Sequence, residues 1–174
     1  MFGHQRGQSV IELAISVPAL LLLLLGSFDS AVMASDKVIA GNAVRQGARL
    51  AAELGGSQTN PSATTAQLDQ NIVKNVLAVA TSMNYSSLQE IDIYSPRAAN
   101  GVFNPATDPY DRFDGAGTLQ YQGFPINQRN QIPPTETSIG VRVVWRYTPP
   151  NVYQGFSIVL NEYAVMKAAP VLLT

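Results

Sequence analysis

From Ser9 to Phe28 the chain is apolar almost without interruption, and Glu12 is the only formal charge in that stretch. About 20 such residues cross a bilayer as a helix, so the pattern predicts a membrane-length span with one carboxylate a turn inside its start. A carboxylate costs about 2.5 to 3.5 kcal/mol at the centre of a spanning helix and less near the interface, which favours a specific partner such as an amine. The plainer reading is that Glu12 reaches water at the membrane surface. Pro18 removes one backbone donor inside the span, a loss that neighbouring helices can absorb.

The helix is expected to leave the membrane near Asp29 and run on to Leu54, where Gly55-Gly56 stops it. In its outer half Val38, Ile39, Asn42, Arg45, Arg49 and Ala52 mix apolar and polar positions at helical spacing, so one face can dock on a domain while Arg45 and Arg49 share a side. Residues 57–63 read as a loop. A second helix is predicted from a cap at Thr64 or Thr65 to Met83, with Leu68, Ile72, Val73, Val76, Leu77, Ala80 and Met83 as its core stripe and Gln67, Asp69, Gln70 and Lys74 on the polar side.

After Leu88 the period changes to two. Glu90 to Tyr94 alternates polar with apolar, as does Ile139 to Thr148, and Ile158 to Met166 is apolar enough for a third strand beyond the Pro149-Pro150 connection. The expected fold class is α+β: a long N-terminal transmembrane helix continuing into a small domain in which a second helix packs on an antiparallel sheet. Between the strands, residues 97–136 are rich in Gly, Pro, Asn, Asp and Gln, with one short apolar-aromatic piece at Thr118 to Tyr121. They predict a long functional or mobile loop anchored by Tyr110, Phe113, Tyr121 and Phe124.

Composition narrows the function. The 174 residues are 46% hydrophobic and 13% charged, enough for one anchor and one small domain. A net charge of -1 offers no field for nucleic acid, and the lack of cysteine excludes disulfides and thiol chemistry. The one histidine is His4, the serines have no base nearby in sequence, and no Gly-rich phosphate loop precedes a helix, so an enzyme is not expected and no cofactor is implied. Glu90 and Asp92 share a strand face and read as a solvated rim. Asn104, Asp108, Asp111 and Asp114 are weak candidates for a calcium site, because Asp beside Gly and Pro also serves turns, and no metal is assigned.

The leader ending in Gly7, followed by four residues, Glu12 and an apolar helix, resembles the processing site of type IV pilins and pseudopilins. Arg45-Gln46-Gly47-Ala48-Arg49 resembles the Gly-Ala-Arg segment of TadE-like proteins, the minor pseudopilins of tight-adherence (Flp) pilus systems. Val141 to Tyr147 and Tyr163 to Lys167 are similar to that family's closing strands. The resemblance implies cleavage between Gly7 and Gln8, a leader of residues 1–7, a transmembrane and extended helix over 8–54, and an extracytoplasmic α+β domain over 55–174. Glu12, fifth in the mature chain, would meet the free amine of a neighbouring subunit, and Pro18 would help the helices pack. The implied partners are prepilin peptidase, other pilin and pseudopilin subunits, an inner-membrane pilus assembly platform and membrane lipid. The only basic groups before the span, Arg6 and His4, place the N-terminus in the cytoplasm of a bacterial inner-membrane protein. Two other readings stay open: a secretory signal cut near Ala34 that releases a soluble binding domain, and an uncut anchor.

Overall fold

A computed structural model describes residues 5–54, 56, 64–150 and 155–170. Helix α1 runs unbroken over Gln5–Leu54, through Pro18, and α2 spans Thr65–Ala80. Five antiparallel strands follow: β1 Ser86–Tyr94, β2 Tyr110–Asp114, β3 Leu119–Gln122, β4 Ser138–Tyr147 and β5 Ile158–Lys167. Their order in the sheet is β3-β2-β1-β4-β5, which places β1 at the centre. The α+β arrangement is the one the sequence pattern predicts. At 1.5 Å per residue, the 50 residues of α1 make a rod about 75 Å long.

The outer half of α1 meets α2 and the sheet through small side chains. Ala40, Ala43, Val44, Ala48 and Ala51 are fully buried against Ile72, Val73 and Val76 of α2 and against Ile139, Val141, Val143 and Trp145 of β4. Gly47 marks the closest approach. A methyl group there would lie 2.6 Å from Val76 Cγ2 and 3.3 Å from Val141 Cγ1. Gly47→Ala should therefore be destabilising by about 1 to 3 kcal/mol through overpacking, despite the better helix propensity of alanine. Val76→Ala added to it should restore part of the loss, which urea unfolding of both variants would measure.

The second helix begins as its sequence predicts. Thr64 Oγ1 accepts from Gln67 N, and the Gln67 side chain accepts from Thr64 N, a reciprocal cap. The predicted apolar stripe is the core face, but Asp69, expected on the polar side, is 1% exposed. Its partner explains the difference. Arg129, fully buried, sets Nη1 2.6 Å from Asp69 Oδ1 and Nη2 2.8 Å from Asp111 Oδ2, while Nη2 also donates to the Phe124 carbonyl. Asp111 in turn accepts from the backbone N–H groups of Gly123 and Phe124 at 2.7 and 2.8 Å. One guanidinium thus ties α2, β2 and the turn after β3 together.

Burial, and then the neighbouring Asp69 carboxylate, push the pKa of Asp111 up to about 7 from an ordinary 3.8. A raised carboxyl pKa means that the folded state holds the proton more tightly than the unfolded chain. The resulting stability is complete below about pH 3.8 and is lost as pH rises through about 7. Asp111→Asn keeps an acceptor for the two backbone donors and removes the titration. The gap in stability between it and the unaltered protein should widen in its favour toward alkaline pH; an unchanged gap would show that Asp111 is not the titrating group.

The region expected as one long loop is more ordered than its composition suggests. It contains β2, β3 and a short 3-10 turn at Ile126–Gln128, and Phe113 and Phe124 are core residues. The predicted loop at 57–63, His4 and part of the β4-β5 connection lie outside the described residues.

Candidate assembly helix and the outer sheet face

From Gln8 to Phe28 no residue of α1 is buried, and this stretch is long and apolar enough to cross a membrane. Its 21 residues span about 30 Å, the thickness of a hydrocarbon core. Glu12 is exposed on this segment and accepts a hydrogen bond from Gln8 Nε2 at 3.1 Å. Pro18 lies within it. The predicted processing residue Gly7 sits in the helix backbone just before Gln8.

Domain contact starts where the membrane exit was expected. Tyr147 Oη donates to the Asp29 carbonyl at 2.9 Å, and Asp29 is 6% exposed. Two turns further, the Asp36 carboxylate is fully buried and accepts from Asn84 N, Tyr85 N and Ser86 Oγ, the last at 2.6 Å. Asp36 therefore clasps the start of β1 to α1. Nothing in the local pattern distinguishes it from a solvated helix aspartate, because its donors lie 48 to 50 residues away.

The Gly-Ala-Arg segment divides by face. Gly47 and Ala48 are buried, while Arg45 and Arg49 point outward and pair along the helix, Arg45 with Asn42 at 2.9 Å and Arg49 with Glu53 at 2.9 Å. The arginine contacts stay within α1 rather than joining it to the domain.

On the sheet face opposite the helices, Asp92 of β1 stands between Arg112 of β2 and Arg142 of β4 in register. Arg112 Nε donates to Asp92 Oδ1 at 2.7 Å, and Arg142 donates to Asp92 Oδ2 and to Glu90 Oε1. Asp92 is fully buried, so the expected solvated rim is instead a closed ion-pair network. Burial and the neighbouring Asp92 carboxylate push the pKa of Glu90 upward. Phe103 caps the network, with its ring centroid 4.9 Å from that of Tyr94 and 5.1 Å from Arg142 Cζ.

The weak calcium candidates are engaged by N–H and hydroxyl donors. Asp108 accepts from Arg97 N, Asn104 N and Thr107 Oγ1, Asp114 from Ala116 N and Thr118 N, and Asp111 is held by Arg129. They do not converge, and no group of three or more His, Cys, Asp or Glu suited to a metal ion occurs among the described residues.

A single apolar helix of membrane-spanning length thus seats an α+β domain on its outer half. Residues 7–49 match the family model of TadE-like proteins, the family that Gly7, Glu12 and Arg45 to Arg49 resemble. The match starts at Gly7 and ends at Arg49. It lies within α1 and leaves the last turn of that helix, α2 and the sheet outside. No curated protein and no solved structure matches the chain. The family is associated with the Tad pilus and is structural rather than catalytic.

Proposed function

We propose that this chain is a minor pilin or pseudopilin that takes part in assembling a tight-adherence type IV pilus. The observation that carries the reading is the coincidence of the family match with one continuous helix in which no residue from Gln8 to Phe28 is buried. An apolar helix left bare for its membrane-length half, with a carboxylate near one end, is suited to lateral packing against other helices in lipid. Prepilin peptidase cuts after Gly7, Gln8 becomes the N-terminus, and the Glu12 carboxylate pairs with the terminal amine of a neighbouring subunit. The helix then spans the inner membrane with its start in the cytoplasm and α2 and the sheet outside, against the assembly platform and other subunits. A minor role follows from the size of the outer domain.

The test is the N-terminal residue of the protein recovered from native membranes. A chain beginning at Gln8 supports the reading. A start near Ser35 would replace it with an exported soluble domain, and an intact Met1 with a plain anchor.

A further inference from the structure

The outer sheet face carries a built polar site that helix packing does not use. A depression of about 380 Å³ is lined by Glu90, Arg112, Arg142, Asn161, Tyr163 and Phe103 among others, a volume in the range of small-molecule sites. A second depression, of about 450 Å³, lies against the 96–101 segment and is also lined by Tyr163. Tyr163 therefore belongs to two adjacent hollows, room for more than one ring of a ligand.

The walls are fixed in advance. Asp92 holds both guanidinium groups from beneath. The segment bearing Phe103 is pinned at one end by Tyr94 Oη donating to the Gly101 carbonyl at 2.7 Å, and at the other by the three donors gathered on Asp108. Gly101 has φ of +74°, and a methyl group there would lie 3.0 Å from Val165 Cγ2, so this close approach requires glycine.

Charge decides the class of ligand. Two arginines face two carboxylates, Glu90 and Asp92, so the cluster is balanced internally and selects neither an anion nor a cation. What it offers is guanidinium donors, a carboxylate acceptor, an amide that does both, a phenol hydroxyl and aromatic surface. A ligand that uses all of these is neutral, carries adjacent hydroxyl groups that donate and accept together, and has an apolar face. We infer that the outer face of the sheet, at Glu90, Arg112, Arg142, Asn161 and Tyr163, binds a saccharide. Because it uses none of α1, the inference stands or falls separately from the assembly role.

Saturation-transfer NMR on the full chain in lipid nanodiscs tests it, since nanodiscs avoid glycoside detergents. The probes are the methyl glycosides of glucose, galactose, mannose and N-acetylglucosamine, with acetate as the ionic control. Transfer to at least one glycoside is expected, weakened about tenfold by Asn161→Ala or Tyr163→Ala through loss of a hydrogen bond or ring contact. Both substitutions are at exposed positions of β5, so the urea midpoint read from Trp145 should not move. No transfer to any glycoside from folded protein overturns the inference. So does transfer unchanged in both variants, and so does binding of acetate alone, which would make this a carboxylate site.

Discussion

Arg129→Ala is expected to cost about 3 to 5 kcal/mol, enough to unfold much of the outer domain, because it strands two buried carboxylates and the Phe124 carbonyl around an empty centre. Removing one partner of a buried ionic cluster is far more damaging than removing all of it. The combination Asp69→Leu, Asp111→Asn and Arg129→Met should accordingly recover most of the lost stability, since asparagine still accepts from Gly123 and Phe124 and the other two side chains become apolar. The chain's one tryptophan, Trp145, is fully buried on the helix side of the sheet and reports the unfolding directly. An Arg129→Ala protein as stable as the parent would mean that the two carboxyls take up protons at no cost and that the cluster is not structural.

Glu12→Ala should, on the proposed role, leave insertion and processing intact and abolish pilus assembly. Removing a carboxylate from a span makes the segment easier to insert, so any defect has to arise at a later step. If Glu12 neutralises the amine of Gln8 on a neighbouring subunit, alanine leaves that amine unpaired in lipid, which disfavours every packed arrangement. The measurements are membrane fractionation, the N-terminal residue, and piliation in cells carrying the variant. Normal piliation would sink the pairing; failure to process would move Glu12 from assembly to recognition by the peptidase.

The helices and the central strands were legible in the sequence because their periodicity is carried by apolar residues. The stripe from Leu68 to Met83 and the alternation from Ile139 to Tyr147 are uninterrupted, and the structure places both in the core. β2 was concealed for a physical reason. Its inward positions are Asp111 and Phe113, and a charged residue at an inward position erases the alternation that marks a strand. The guanidinium of Arg129, brought from 18 residues away, and the N–H groups of Gly123 and Phe124 make that aspartate compatible with the interior, and the same guanidinium hides Asp69 on α2. Asp92 reads as a solvated rim and Asp36 as an ordinary helix aspartate for the same reason, each being satisfied by donors on other elements. The membrane-length helix and the Gly-Ala-Arg segment needed no such partners, being local patterns. The inward turn of Gly47 and Ala48 was not separable from the outward turn of Arg45 and Arg49 until the positions of α2 and β4 were known.

The absence of a break in α1 gives the domain a fixed angular phase. Asp36 and the Asp29 carbonyl grip it at one end and Ala169 N bonds to the Ala52 carbonyl at the other, so the sheet cannot swivel on its stalk. The azimuth at which the outer sheet face looks out is then counted in residues from Glu12. One residue inserted before Asp29 would raise the domain by about 1.5 Å and turn it through about 100°. A seven-residue insertion would return it nearly to its starting direction, about 10 Å further out.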